Sequence, residues 1–469
     1  MSAVFSINTE LDEARLENLV EFLYSNYLLA YPQRFTNVTK SKVDGISSLS
    51  YTAIYPDVFY GTYWYVDISI TAVKPIQVKI SSKVFVISPE VVEGIKLELS
   101  NQIREFERLV REAVLYFAWV QGKELIAERL RPPKKTVQGM VSDTMVMLSV
   151  FFMAISLMLF SLFGMYAPIL VVAIQSIVIL ISDKILIKVG DWLITPQTPF
   201  VSIIRCQLPI GEYIRLKQVF SEEHAMKIKQ DIQGRVFNQH IELSPQLASD
   251  ALKDAGVVCP PENISVKVID VYKLVAETSN KHGLPTPKIA VSNTLLPNAA
   301  ASGLGPSHGV VIITTGLLSL LKEDEIMGVM GHELSHLKNH DPMALFIIGS
   351  AEYLLRVYVF WPILLIFPYF YYIFAMSIIY FIAKFFEARA DLESAIVTRN
   401  PQALASALRK IGLRRPREVL GFGEWLNWEP HPPIRFRIAR LEQLKTTDIK
   451  HPFLRSVKDV IEGFLNSLR

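Results

Sequence analysis

Cysteine is scarce in this chain, which has two in 469 residues, Cys206 and Cys259. They lie far apart and have none of the spacings of a cysteine metal site, so we assign them no functional role. So low a content is typical of proteins from a reducing compartment, and on this ground we expect the chain to reside in one.

An excess of charge of either sign is also missing. Lysine and arginine together number 48, against 45 aspartate and glutamate residues, and the net charge is +3. A balance this even does not indicate a nucleic-acid partner. The N-terminal segment lacks a basic region followed by an apolar one, so no cleavable signal peptide is predicted and membrane insertion must use internal segments.

Long uncharged runs are abundant, since 51% of the residues are apolar. The run 144–182 is 39 residues long. A bilayer core takes roughly 20 helical residues, so this run is too long for one span and fits two. We predict spans at 144–163 and 168–187, with both basic flanks in the cytoplasm by the positive-inside rule. A buried hairpin of a soluble protein is the alternative.

The clearest chemical signal is the sequence His332-Glu333-Leu334-Ser335-His336. Acidic residues at 323–325 suit a helix start and Pro342 marks a stop or kink, so the segment between them is predicted to be helical. Histidines four residues apart lie on one helical face and can bind one tetrahedral Zn²⁺, beside which Glu333 can act as a general base. The alternative is an ordinary helix with two solvated histidines.

This motif needs a third ligand, and Glu387 is the candidate. It shares a helical face with Asp391, which could hold a ligating imidazole from behind, although a solvated helix face is the alternative. If Glu387 and both histidines bind one metal, the chain between them crosses the membrane an even number of times. The uncharged run 357–383 is then not a single span, and we predict two, at 343–361 and 369–386; a buried or re-entrant hairpin stays open.

The N-terminal part, residues 1–135, has the pattern of a soluble α+β domain. Aromatic and β-branched residues predict strands at Tyr63–Thr71 and 76–87. An apolar stripe of helical period predicts one long helix at 89–130. No catalytic signature is found in this part.

Residues 190–341 return to the composition of a soluble domain. We predict a helix at 266–281 and short strands at Lys288–Ser292 and 310–315. The small residues between these strands, at 296–303, would let a peptide substrate approach and add as a strand, although a plain loop is the alternative.

Near the C-terminus, His431 stands before Pro432 and Pro433, which fix the backbone beside it. A rigidly held histidine or arginine could stabilise the oxyanion of a tetrahedral intermediate. Taken alone, a histidine before two prolines is more often part of a turn.

Taken together, these segments resemble the HtpX-type membrane zinc peptidases, which are related to the CAAX prenyl endopeptidases. The resemblance runs from about residue 271 to 441, over a third of the chain. Five elements carry it by their order and spacing: Pro297-Asn298-Ala299 before a strand, Thr315-Gly316-Leu317-Leu318, the 332–336 motif, Glu387 with Asp391, and His431-Pro432-Pro433 followed by Arg437-Ile438.

The resemblance implies a role for each functional residue and one Zn²⁺ per chain. Ala300 stands where the family commonly has an aromatic residue, so the substrate pocket differs there. The implied roles are zinc ligands for His332, His336 and Glu387, general base for Glu333, support of a ligand for Asp391, oxyanion contacts for His431 and Arg437, and a substrate edge at Asn298, Ala299 and Ala300.

The resemblance also implies the fold class, mainly α with an α+β part. The protein would be an integral membrane metalloprotease of the gluzincin type with two transmembrane helical hairpins. The soluble N-terminal α+β domain, predicted from the residues themselves, departs from the typical chain of this family. It would be a multi-pass cell-membrane protein with cytoplasmic termini and active site, acting on peptides or misfolded membrane proteins. A homo-oligomer stays open. The predicted organisation is an N-terminal domain at 1–135, a hairpin at 144–187, the first protease part at 190–341, a second hairpin at 343–386 and the last protease part at 387–469.

Two rival functions are weighed against this one. A CAAX-type prenyl-protein endopeptidase fits less well, because those enzymes have more membrane spans. A non-catalytic membrane scaffold with a structural zinc would close its site with four protein ligands. Three good ligands are found here, which leaves a position for water and favours an enzyme.

Overall fold

The computed structural model describes residues 2–9, 11, 13–43, 45–56, 63–82, 89–126, 155, 158–239, 242–303, 305–412, 425, 429–444 and 449–468. The chain forms two compact units, one of Met1–Val114 with Leu208–Arg215 and one of Leu115–Gln207 with Leu216–Arg469. The predicted linker near residue 135 and most of the predicted span at 144–163 lie outside the described residues.

The first unit contains a five-stranded antiparallel sheet in the order β1-β5-β4-β3-β2. Side chains such as Val66, Ile68 and Val78 alternate towards one face of the sheet, where they are buried with Leu19 and Phe106 of the helices. The predicted strand Tyr63–Thr71 is confirmed as β4. The elements are β1 Ser2–Ile7, α1 Glu13–Phe22, a π-helix at Leu23–Leu28, β2 Phe35–Val43, β3 Ile46–Pro56, β4 Tyr63–Thr71, β5 Ile76–Ser81 and α2 Pro89–Glu112.

The prediction of one helix over 89–130 is wrong beyond Glu112. The helix α2 ends there, and the strand β6 follows at Val114–Val120. Every residue of β6 after Val114 is buried, so both faces of this segment lie in the core, whereas a surface helix buries one stripe. The run of aromatic and aliphatic residues in β6 suits such a strand.

The second unit contains two small sheets. One has the order β6-β8-β9, and the other the order β11-β12-β10-β7, with β11 at its edge. In the second sheet β10 runs parallel to β12, while β7 and β11 are antiparallel to their neighbours. The strands are β7 Trp192–Ile194, β8 Phe200–Gln207, β9 Ile264–Asp270, β10 Lys288–Ser292, β11 Ala299–Ser302 and β12 Val310–Thr314.

The predicted helix at 266–281 is wrong in its first part, because β9 extends to Asp270. The helix α8 starts at Val271, where the Asp270 side chain accepts a hydrogen bond of 2.8 Å from the backbone N–H of Lys273. The two predicted strands on either side of the small-residue segment are confirmed as β10 and β12.

The other helices belong to the second unit, except that α5 begins in the first unit, which includes Leu208–Arg215. The helices are α3 Ala167–Leu180, α4 Ser182–Val189, α5 Ile210–Val219, α6 Glu222–Gln239, α7 Pro245–Asp254, α8 Val271–Lys281, α9 Thr315–Leu320, α10 Glu323–Lys338, α11 Asp341–Tyr358, α12 Trp361–Ile366, α13 Pro368–Thr398, α14 Pro401–Gly412, α15 Ile434–Glu442 and α16 Pro452–Ser467.

The two cysteines, to which the sequence assigned no role, are bonded to each other. The disulfide joins Cys206, near the end of β8, to Cys259, shortly before β9, across 53 residues of sequence. Because β8 and β9 pair antiparallel, with Cys206 opposite Ile264, the fold brings the two residues together. Cysteine content therefore no longer argues for a reducing compartment.

Two segments of the described residues are long and apolar enough to cross a membrane, Met158–Leu180 and α13. A 3₁₀ turn at Gly164–Tyr166, with Gly164 at φ 54°, interrupts the first at the predicted turn position. The helices α11 and α13, joined by α12, match the two predicted arms of the second hairpin. The two-hairpin membrane topology itself stays a prediction.

The apolar half of α13 projects large side chains outward, with Tyr369 84% and Phe370 69% exposed. In α11, Arg356 Nε lies 3.4 Å from Glu352 Oε1. Lys384 of α13 is fully buried and donates a hydrogen bond to the carbonyl of Glu429, because the segment before α15 covers α13 at this level.

Candidate metal centre

The helix α10 positions the histidine motif. Its acidic first turn begins where predicted, and Glu325 accepts a hydrogen bond of 2.8 Å from the backbone N–H of Lys322. The helix ends at Lys338, and His340 in the left-handed region, at φ 57°, precedes the new helix that contains Pro342. One regular helix therefore carries His332 and His336 on one face, as predicted.

Glu387 reaches this face because α10 and α13 pack closely. A Cβ atom added to Gly331 would lie 2.8 Å from the Ser394 side chain, so a glycine is required at this crossing. The Ser394 hydroxyl donates a hydrogen bond of 2.6 Å to the carbonyl of Gly328, which fixes the two helices against each other. Two turns earlier on α13, Glu387 faces the histidines.

The candidate ligand atoms of three side chains, two imidazole nitrogens and the two oxygens of one carboxylate, lie close together. His332 Nε2 lies 3.2 Å from His336 Nε2, and the Glu387 oxygens lie 3.3 Å from the first and 3.4 Å from the second. Two ligands bound at about 2.05 Å to a tetrahedral Zn²⁺ are about 3.3 Å apart. Both the donor set of two imidazoles and a carboxylate and its spacing therefore fit a zinc ion with one open position.

A carboxylate and an arginine stand behind His332. Asp391 Oδ1 lies 2.9 Å from His332 Nδ1, and Arg437 donates two hydrogen bonds to Asp391, of 2.7 and 2.8 Å. Asp391 and Arg437 are both buried. A carboxylate at Nδ1 holds the imidazole so that Nε2 faces the metal position.

His336 has the same kind of support, which sequence reasoning missed. Asp341 Oδ2 lies 2.8 Å from His336 Nδ1, and Arg389 donates a hydrogen bond to the other oxygen of Asp341. The signal in the sequence was the rule that ligating histidines use both ring nitrogens, which calls for a second carboxylate besides Asp391. Asp341, at the start of α11, supplies it.

The carboxylates make this centre attractive to positive charge. Burial lowers the pKa of His336, but hydrogen bonds to Asp341 and Glu387 outweigh it and raise the pKa to about 10. Burial likewise lowers the pKa of His332, and hydrogen bonds to Asp391 and Glu387 raise it by more. A divalent cation would satisfy the same carboxylates, so the electrostatics suit a metal site.

Glu333 points from α10 towards the edge strand β11. Its Oε2 accepts a hydrogen bond of 2.9 Å from the backbone N–H of Ala301. The predicted substrate edge forms this strand: Ala299 and Ala300 belong to β11, and Asn298 precedes it. The Asn298 carbonyl accepts a hydrogen bond from the backbone N–H of Thr314, and the Asn298 N–H donates one to the Thr314 hydroxyl. The structure thus brings the predicted base and the predicted edge together.

His431 and Arg437 both reach the centre, at a carboxylate. His431 Nδ1 lies 2.6 Å from Glu387 Oε2, and Arg437 Nη1 lies 3.7 Å from the same oxygen. Arg437 is otherwise bound to Asp391, whereas His431 is partly exposed. Their role at an oxyanion stays a prediction.

Comparisons with known proteins match the part of the chain that contains this centre. The family described as Peptidase family M48 matches residues 267–445. The chain is similar to proteins named "Protease HtpX homolog": one from Thermodesulfovibrio yellowstonii is 32% identical over 37% of this chain and 75% of the relative. One from Thermoanaerobacter pseudethanolicus is 30% identical over 42% of this chain and 78% of the relative. One from Thermococcus kodakarensis is 32% identical over 37% of this chain and 73% of the relative.

Proposed function

This chain belongs to peptidase family M48 as an HtpX-type metallopeptidase, and from that premise we propose that it is a zinc-dependent, membrane-embedded endopeptidase. The observation that carries the proposal is the meeting of His332, His336 and Glu387: the two Nε2 atoms are 3.2 Å apart, and each lies 3.3–3.4 Å from one of the two Glu387 oxygens, which suits a tetrahedral zinc ion. One Zn²⁺ per chain would occupy it.

The same set of three residues argues against a structural zinc site. Structural sites are closed by four protein ligands, and three candidate ligands meet in the part of the chain that the structure describes. A zinc ion held there would supply Lewis acidity, which polarises a scissile carbonyl and lowers the pKa of water. Asp391 and Asp341 orient the two imidazoles for this task.

Glu333 is the general base of the proposed reaction. It takes a proton from the attacking water and passes it to the leaving amine. Its position supports this assignment, because it lies next to both histidines on α10 and faces the edge strand through Ala301. His431 and Arg437 are proposed to stabilise the oxyanion, since both lie beside the third ligand.

The substrate is proposed to pair with the edge of β11 at Asn298, Ala299 and Ala300. An extended peptide can add as a strand to such an edge, and its scissile bond would then lie near Glu333. The exposed apolar surfaces of Met158–Leu180 and α13 support insertion in a bilayer. The basic flanks of the first predicted hairpin favour the cytoplasmic side for the centre, whereas the disulfide in the same unit does not. We propose the cytoplasmic side, with misfolded membrane proteins as substrates.

The experiment compares zinc content and cleavage of an unfolded protein substrate for purified wild type, Glu333→Gln and Glu387→Ala. Glu333→Gln should retain zinc and lose at least about a hundredfold in rate, because it removes the base and no ligand. Glu387→Ala should lose zinc. Glu323→Gln, an exposed carboxylate on the same helix, is the matched control and should behave as wild type.

Two results would contradict the proposal. Wild-type cleavage by Glu333→Gln would remove this residue from the mechanism, and cleavage that persists without zinc would remove the metal. A prenylated C-terminal peptide assayed in parallel tests the CAAX-type alternative, which predicts faster cleavage of that peptide than of its unmodified counterpart.

A further inference from the structure

The helix α16 packs one face against α13. Ser456 and Val460 on this face are fully buried, and Phe464 contacts Phe381 of α13 with ring centres 5.4 Å apart. Val460 belongs to a small core with Ala388 of α13. This inner face therefore already has its partner within the protease unit.

Contacts along the helix fix its direction relative to α13. At its N-terminal end, Phe453 lies beside Arg389, whose guanidinium carbon is 5.9 Å from the ring centre. Near its C-terminal end, Phe464 lies beside Phe381. The helix α16 thus runs antiparallel to α13, from the level of the metal centre towards the apolar half of α13.

The outer face of α16 is apolar and exposed. Leu454, Ile461, Leu465 and Leu468 are 66%, 41%, 51% and 54% exposed. Spacings of seven, four and three residues place them in one stripe along the helix. Lys458 lies in the same row, four residues after Leu454 and three before Ile461, and is paired with Glu462. Arg455, beside the stripe, is paired with Asp459, which also binds Arg440 of α15.

We propose that the last two turns of α16 are a membrane-contacting element, whose outer stripe enters the boundary between lipid headgroups and acyl chains. The proposal rests on the proposed membrane insertion of α13. Phe381 precedes Glu387 by six residues, so roughly 9 Å of helix separates the α16 contact from the metal centre on the bilayer side. Because α16 runs antiparallel to α13, its C-terminal end would enter this boundary end-on.

Lipid is the occupant that the geometry favours. The stripe continues the exposed apolar surface of α13, where Ile373, Phe374 and Ile378 are 57%, 59% and 45% exposed. A bilayer that surrounds α13 also reaches the end of α16, because the two helices are packed together at Phe381 and Phe464. The paired charges beside the stripe can enter the headgroup region at little cost, since each has its counterion.

The test places an environment-sensitive fluorophore on single cysteines in the full chain, reconstituted in vesicles of phosphatidylcholine and phosphatidylglycerol. The probe positions are Leu465→Cys and Leu468→Cys on the stripe, Asn466→Cys as a control at the same depth on another face, and Ile373→Cys as a lipid control on α13. Labelling without reductant spares the native disulfide, and unsubstituted protein measures the background. Quenching by lipid-bound nitroxides is compared with quenching by aqueous iodide.

We expect lipid quenching at positions 465 and 468 to exceed that at 466 several-fold and to approach that at 373. Iodide should show the opposite order. If 373 is in lipid while 465 is as accessible to iodide as 466, this inference is overturned and membrane insertion survives. If 373 is not in lipid, membrane insertion itself fails. Protection of 465 from both quenchers would indicate a second copy or another protein on the stripe and would also overturn the inference.

Discussion

A carboxylate and an arginine stand behind each of the two metal-facing imidazoles, but the surroundings of the two arginines differ. Behind His332 stand Asp391 and Arg437, and behind His336 stand Asp341 and Arg389. The carboxylate-to-imidazole distances are nearly equal, 2.9 and 2.8 Å, although only the contact between Asp341 and His336 has hydrogen-bond geometry. The next carboxylate within reach of each arginine also differs.

Arg437 has a metal ligand as its next neighbour, since its Nη1 lies 3.7 Å from Glu387 Oε2. Arg389 has Glu393 instead, 3.9 Å from its Nε. Glu393 is itself held by the Ser335 hydroxyl and the Asn339 amide, each at 2.9 Å. Without Asp391, Arg437 would therefore pair with the metal ligand Glu387 and disturb the site. Without Asp341, Arg389 would pair with Glu393, which is not a ligand. The identity of the arginine's second partner, and not the hydrogen-bond length, sets the importance of each support.

The largest effect is expected for Asp391→Asn. The change keeps the shape of the side chain but weakens its contact with His332. It also frees the buried Arg437 to pair with Glu387, and this ion pair would compete with zinc for the Glu387 carboxylate. Zinc affinity should fall by about a hundredfold, the upper end of losses seen when a support of a ligand is removed. Competition with a fluorescent chelator measures it. A loss no greater than that of Asp341→Asn would show that the second partner does not matter.

A smaller effect is expected for Asp341→Asn, about tenfold in zinc affinity, because Arg389 can turn to Glu393. The single variant Glu393→Gln should leave affinity near that of wild type. The double variant should lose more than the sum of both changes, since Arg389 then has neither carboxylate. Strict additivity in this cycle would contradict the assignment of Glu393 as the alternative partner.

A prediction on stability rather than on zinc affinity concerns His282, a buried histidine at the end of α8 whose environment contrasts with that of His336. Burial, with repulsion from Lys338, lowers the pKa of His282 to about 4, whereas that of His336 is raised to about 10 by its carboxylates. A lowered folded-state pKa stabilises the protein above the unfolded pKa of about 6.5, and this contribution, up to roughly 3 kcal/mol, is lost as the pH falls towards 4.

The variant His282→Leu should therefore lose less unfolding free energy than wild type between pH 7 and pH 5. Denaturant unfolding in detergent with a zinc chelator present measures this difference, because the chelator removes pH-dependent metal binding from both proteins. An equal loss in the two proteins would show that His282 takes up no proton on unfolding in this range.

Sequence reasoning succeeded where local pattern and chemistry coincide. The helix with His332 and His336, and Glu387 on a later helix, follow from residue spacing and from the need for a third ligand. It failed where burial overrides period, as at β6, whose residues after Val114 are all buried and carry no alternation. Asp341 was missed because its neighbour Pro342 was interpreted only as the end of a helix. In the structure, Asp341 and Pro342 are the first residues of the next helix, α11. The disulfide could not be predicted, because it depends on the pairing of β8 with β9, and the two cysteines are 53 residues apart in sequence.

The uninterrupted helix α13 sets a fixed distance between its apolar part and the metal centre. Its apolar part before the buried Lys384, from Pro368 to Ala383, measures roughly 24 Å, somewhat less than the thickness of a bilayer core, and Glu387 follows about one turn later. Under the proposed membrane insertion of this part, helical rise would fix the height of the metal centre above the hydrocarbon, with no linker to adjust it. The peptide bonds that reach this height would be those of segments just emerging from the membrane, so the length of the helix would determine where along a substrate it is cut.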